Sequence, residues 1–146
     1  MSEPRDHTGP QNVYRRISPK QWESGGPEAF LEGEGQGLSL FRAEEQTPRG
    51  VMEHAIASAR SKLQSSDPKV RRLGERQLAR YGETVQEWVE NGWHVVELPV
   101  AAFTERGYSF GPTEPDGPVE AFGDHDTYAL EFADIAKDVP RDDFQQ

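Results

Sequence analysis

The chain contains no cysteine in its 146 residues. That absence excludes a disulfide scaffold, a thiolate zinc centre, an iron–sulfur cluster and a cysteine nucleophile. Long apolar runs are missing as well. No stretch approaches the roughly 20 apolar residues that cross a bilayer, and the polar segment Met1 to Gln11 lacks the apolar centre of a secretory signal. Both gaps predict a cytoplasmic protein with no membrane attachment. Hydrophobic residues are scarce, at 34%, below the share usual in soluble domains. Three Trp, four Tyr and seven Phe offset this by supplying large side chains to a single core. A chain of this length buries about two-thirds of its unfolded surface without metal or disulfide staples.

Positive charge is also in short supply, with 16 basic residues against 26 acidic ones and a net charge of −10. Such a field repels polyanions, so direct nucleic-acid binding is disfavoured. The charge is unevenly spread. From Arg60 to Arg80 seven basic residues face two acids, for a net +5, whereas from Glu114 onward ten acids face Lys137 and Arg141, for a net −8. Arg71, Arg72, Arg76 and Arg80 therefore form a candidate protein-binding face. Their alternative counterpart is the acidic C-terminal region, of the same chain or of a second copy.

Residues 1–11 hold Pro4, Gly9 and Pro10 among polar side chains and are expected to be a disordered tail, and residues 141–146 are expected to be a C-terminal tail outside the domain. Between them, 12–140 reads as one domain. Strands are predicted at Asn12–Ile17, Leu38–Arg42, Trp93–Pro99, Tyr108–Phe110 and Val119–Phe122, where β-branched and aromatic residues cluster between turn formers. Helix starts are marked by Ser18-Pro19 with Gln21, Thr47-Pro48, Asp67-Pro68 and Thr84 with Glu87. Met52, Ala55, Ile56, Ala59 and Leu63 recur at helical spacing, and Val70, Leu73, Gln77 and Tyr81 mark the inner face of the next helix. Tyr128, Phe132, Ile135 and Val139 mark a last amphipathic helix ending at Pro140. The expected fold is α+β: a small mixed or antiparallel sheet of four or five strands packed against the central helices and closed by a C-terminal helix.

Few residues suggest chemistry. The glycine cluster at 33–37 precedes a strand instead of opening a helix and holds Glu34, which suits a connector better than a phosphate loop. Asp124, His125 and Asp126 are a candidate metal set. Consecutive ligands seldom suffice, however, and an Asp just before a helix is the usual N-cap, so no metal is assigned. His54 and His94 read as packed or surface imidazoles, and no serine has a nucleophile-elbow context.

One ordered set resembles the pattern of ADP-ribosyltransferase-like domains, which use NAD and carry an Arg on an early strand, a Ser or Thr on a second and a Glu on a late one. Arg15 or Arg16, Ser39 and Glu120 stand in that order. In such a site the Arg holds the pyrophosphate, the Ser supports the ribose pocket and the Glu stabilises an oxocarbenium-like transition state. The competing assignment makes the arginines strand-flanking surface charges and Glu120 a solvent-facing strand residue.

The segments Val13-Tyr-Arg-Arg-Ile, Gly37-Leu-Ser-Leu-Phe-Arg, Gly92-Trp-His-Val-Val-Glu-Leu-Pro and Pro112-Thr-Glu-Pro-Asp-Gly-Pro-Val resemble a loose group of small bacterial proteins across most of 13–123. The resemblance implies a bacterial or phage origin and a single domain, and no reaction; a His stands at the place of Glu120 in some members. With no dense catalytic constellation and a polarised acidic surface, the sequence is expected to encode a non-enzymatic interaction module of accessory, antitoxin or immunity type. It would have a protein partner or self-associate and use no cofactor. The alternative is an NAD- or nucleotide-using enzyme of ADP-ribosyltransferase-like type.

Overall fold

The computed structural model describes residues 11–24, 27–31, 36–111 and 118–145. Strands β1 (Asn12–Ile17), β2 (Leu38–Arg42), β3 (His94–Pro99), β4 (Ser109–Phe110), β5 (Val119–Phe122) and β6 (Lys137–Asp138) form one antiparallel sheet in the order β4-β5-β2-β1-β3-β6. The fold is α+β, as its residue pattern predicts, with one strand more than expected. That strand, β6, has two residues and adds to β3 through the pairs Val96↔Asp138 and Glu97↔Lys137.

The described residues form six helices: α1 (Pro19–Glu23), α2 (Pro48–Lys62), α3 (Pro68–Tyr81), α4 (Val85–Glu90), α5 (Val100–Thr104) and α6 (His125–Ile135). Their starts follow side-chain chemistry. Ser18 and Gln21 close a reciprocal capping box on α1, and Thr47, Asp67 and Thr84 accept backbone N–H bonds at the starts of α2, α3 and α4. Gly82, at φ 104°, separates α3 from α4.

Strand alternation divides the core in two. On one face Val13, Ile17, Leu38, Leu40, Leu98 and Val119 pack against Phe30, Phe103 and Phe132 from α5, α6 and the 3₁₀ turn Pro27–Phe30. On the other, Phe41 and Val95 pack against Met52, Ile56 and Trp88 of α2 and α4.

Three expectations are corrected. The segment 141–146 is not a tail outside the domain over its described part: Arg141–Gln145 is a 3₁₀ turn, and Phe144 is buried in the cluster under α2 and α4. The last helix ends at Ile135, not at Pro140, because Ala136 turns extended and Val139 donates its N–H to Val95 O from beside the sheet. The inner face of α3 departs from the expected one at a single position: Val70, Gln77 and Tyr81 are half-buried as expected, but Leu73 is not. Gly74 is its one fully buried residue, seated on α2, while Leu73 remains 46% exposed.

Gly74 is required by close approach, since a Cβ there would lie 2.6 Å from Ala59 O and 2.8 Å from Lys62 Cβ. Gly74→Ala gains about 1 kcal/mol of helix propensity, yet is expected to be net destabilising by about 1–3 kcal/mol because α2 and α3 must part. Chemical denaturation with an unchanged m-value reads this, and a stabilised variant would contradict the packing. Phe144→Ala is expected to cost about 3 kcal/mol in the same assay, whereas a loose tail would show no change.

Candidate functional site

The pairing of β1 with β2 stops early. Only Val13↔Arg42 and Tyr14↔Phe41 are partners, while β1 continues along β3 as far as Ile17↔His94 and β2 continues with β5 through Leu38↔Ala121, Ser39↔Glu120 and Leu40↔Val119. The sheet therefore splits between the second half of β1 and the first half of β2. Arg15 bridges the gap from the inner face: its Nε donates to Ala29 O at 2.5 Å and its Nη1 to Ser39 O at 3.0 Å, with the guanidinium 5.7 Å from the Phe30 ring centre. It is buried.

A cleft of about 640 Å³ opens at this split, lined by Arg15, Arg16, Lys20, Glu28, Ser39 and Trp93 among others. Among the described residues that line it, three cations against one carboxylate make it locally basic in a protein of net charge −10. Arg16 points to the face opposite Arg15, because neighbouring strand residues alternate. Its guanidinium stands 5.8 Å from the Phe41 ring centre and donates to Val51 O at 3.3 Å. Burial, with a smaller push from the Arg15 charge, lowers its pKa to about 10. No carboxylate is in an ion pair with it among the described residues. A desolvated cation of this kind favours an anion in the cleft.

Ser39 and Glu120 share a sheet face as directly opposed residues of β2 and β5. Arg16 belongs to that face across the split, by the same parity that puts Phe41 there. Glu120 is exposed and stands beside the cleft without lining it. Gly37 makes room for it, since a Cβ at 37 would sit 2.8 Å from Glu120 Cβ and 3.0 Å from the Phe122 ring. The structure thus gathers Arg15, Arg16 and Ser39 at one cleft and sets Glu120 next to Ser39. Sequence reasoning missed Lys20, Glu28 and Trp93. Lys20 had a signal, since a capping box directly after β1 must return the chain to the strand end. The indole N–H of Trp93 is buried and has no hydrogen-bond partner among the described residues.

The candidate metal set is corrected. Asp124 caps α6 by accepting from Thr127 N and Thr127 Oγ1, which holds its carboxyl below the usual carboxylate range. His125 is buried with both ring nitrogens engaged: Nε2 donates to Gln36 O at 2.7 Å, and Nδ1 accepts from the Tyr108 hydroxyl at 2.9 Å. A carbonyl can only accept, so this tautomer is the one that satisfies both partners. Asp126 is exposed in the first turn of α6. No group of three or more His, Cys, Asp or Glu is placed to hold a metal among the described residues. Residues 33–35 of the glycine cluster lie outside the described residues. His94 stacks on Trp22 and bonds Asp138 at 3.0 Å. Arg72, Arg76 and Arg80 are exposed on α3, and Arg71 donates to Ser65 O.

Burial first, then the charges of Asp124 and Tyr128, push the Tyr108 hydroxyl up to about 12, so it stays a donor to His125. Tyr108→Phe leaves Nδ1 unpaired and is expected to cost about 1–3 kcal/mol at pH 7. The unfolded phenol ionises first, near pH 10. The stability it contributes is therefore whole below pH 10 and is lost as pH rises toward 12. Between those values the wild type should lose stability more steeply than the variant, and parallel pH–stability curves would refute the hydrogen bond.

No family model matches this chain, and neither does any curated protein or solved structure.

Proposed function

We propose that this protein is an enzyme using NAD or a related nucleotide, of ADP-ribosyltransferase-like type, with its substrate in the cleft at the β1/β2 split. The observation that carries the reading is convergence: Arg16, Ser39 and Glu120, far apart in sequence, belong to one sheet face around one basic cleft. The chemistry of the three groups fits their places. Arg16, aided by Lys20, neutralises the pyrophosphate, since a guanidinium forks onto phosphate oxygens with two parallel bonds. Ser39 offers a hydroxyl to the ribose. Glu120 holds a carboxylate where the positive charge of an oxocarbenium-like sugar develops, as the nicotinamide leaves with the electrons of the glycosidic bond. A nucleophile, water or an acceptor group, then closes on the anomeric carbon. The −10 net charge opposes approach of a dinucleotide only weakly, because salt screens it beyond about 8 Å.

A ligand at a hundredfold excess over its dissociation constant adds roughly 2.7 kcal/mol, so saturating NAD is expected to raise the melting temperature by about 5–10 °C. Arg16→Met should abolish that rise while leaving the unliganded melting temperature unchanged or higher, because it removes a desolvated charge. Glu120→Gln should keep the rise and slow nicotinamide release by about a hundredfold or more. No shift with NAD or ATP would sink the proposal, and a shift that survives Arg16→Met would put the ligand elsewhere.

A further inference from the structure

The large hydrophobic residues left exposed, among the described ones, are Trp22, Leu31, Leu73 and Leu130. Leu31 lines the basic cleft. The other three belong to two surfaces of opposite charge. Leu73 stands on the outer side of α3, with Lys69 one turn before it and Arg76 and Arg80 one and two turns after it. Leu130, 63% exposed, stands on α6 between Asp126 and Asp134, four residues to either side. It borders a groove of about 460 Å³ walled by Trp22, Leu130, Ala133 and Ala136 and rimmed by Asp134 and Asp138.

The two surfaces match in pattern. Each centres a leucine between charges of one sign at helical spacing, and the signs are opposite. Nearby charges do not cancel this. Glu131 is held by Arg106 and Asp138 by His94, but Asp126 and Asp134 are in no ion pair among the described residues, nor are Lys69, Arg76 and Arg80. Lys137 stands opposite Glu97, on the sheet face away from the groove, whereas Asp138 stands opposite Val96 on the groove side. Geometry forbids the chain from satisfying itself. α3 lies outside α2, over the sheet face that packs Phe41 and Val95, whereas α6 packs on the face of Leu38 and Leu98.

We propose that copies of this chain bind one another head to tail, the Lys69–Leu73–Arg76 ridge of one copy seating Leu73 in the groove beside Leu130 of the next. The contact is heterologous, since ridge and groove are different surfaces on opposite faces, so each pair leaves one free ridge and one free groove. The proposal rests on the ridge and the groove alone and not on the reading of the cleft. Complementary charge sets register and rate, and the buried leucines supply the affinity.

The arrangement allows a test that separates it from other modes of association. Sedimentation velocity of the wild type in low salt should show weight-average mass rising with concentration past that of a dimer. At 1 M salt, where screening acts beyond about 3 Å, the rise should weaken. Leu73→Glu spoils only the ridge and Leu130→Lys only the groove, so each should be monomeric alone. Mixed, they should form a one-to-one dimer that grows no further. Arg76→Glu and Asp134→Arg, which change only surface charge, give a second complementary pair; each alone should weaken association by about tenfold or more. A wild type that stays monomeric up to about 1 mM in low salt would overturn the proposal. So would single variants that associate like the wild type, or a mixture that stays monomeric.

Discussion

The separation of β1 from β2 beyond the pair Tyr14↔Phe41 governs the rest of this structure, and the Arg15 guanidinium holds it. Two strands that part inside a core leave carbonyls with no ladder partner, and each unpaired buried group costs about 1–3 kcal/mol. Arg15 answers one of them, Ser39 O of β2, and ties it to Ala29 O of the 3₁₀ turn with one planar, fixed array of donors. A lysine could not bridge the two in this way, because its ammonium is a point charge without a fork. Burying that guanidinium is itself unfavourable, and the Phe30 ring face together with the carbonyl bonds offsets the cost.

The cleft follows from the split through the two-residue period of a strand. Arg15 and Arg16 are adjacent, so one must face each side of β1. Arg15 faces inward and secures the opening; Arg16 faces the opening it secures. The sequence reading left open which of the two belonged to a site, and the period divides the roles: support for one, ligand charge for the other. The same logic places Ser39 and Glu120, whose direct opposition across β2 and β5 turns an order along the chain into a row across a surface.

What could be read from the sequence was local, and what could not was contact. Ser18, Thr47, Asp67 and Thr84 mark their helices because a cap depends only on residues three or four positions away. Five of the six strands are legible from β-branched and aromatic clusters. β6 is not, since two residues carry no period, and Val139 lies at helical spacing from Ile135 although it joins the sheet. Gly74 is the reverse case. Apolar periodicity groups Leu73 with Val70, Gln77 and Tyr81 on the inner face of α3, but a helix that approaches another at backbone distance needs an absent side chain, which no hydrophobic pattern records. Phe144 and His125 owe their burial to partners about 90 residues away in the chain, Met52 in the cluster of the first and Gln36 O for the second. The cleft was legible only as an ordered trio. Its third cation, Lys20, and its indole wall, Trp93, come from segments that fold back on it.

The position of α1 joins the two faces of the molecule. Ser18, Lys20 and Gln21 line the basic cleft, while Ile17 and Trp22, one residue to either side, line the acidic-rimmed groove. Trp22 lies flat on His94 at 3.6 Å, and His94 in turn bonds Asp138 on the groove rim. A helix of five residues, it has no fully buried side chain of its own; its capping box and this stack are among its anchors. A ligand drawn to Lys20 and a surface seated against Trp22 would therefore bear on opposite sides of the same short element. Whatever free energy one passes to the other through α1 must be returned in equal measure, since coupling between two binding sites is reciprocal. The short helix after β1 is thus where the two surfaces of this fold can sense each other, and its weak anchorage is what would let them.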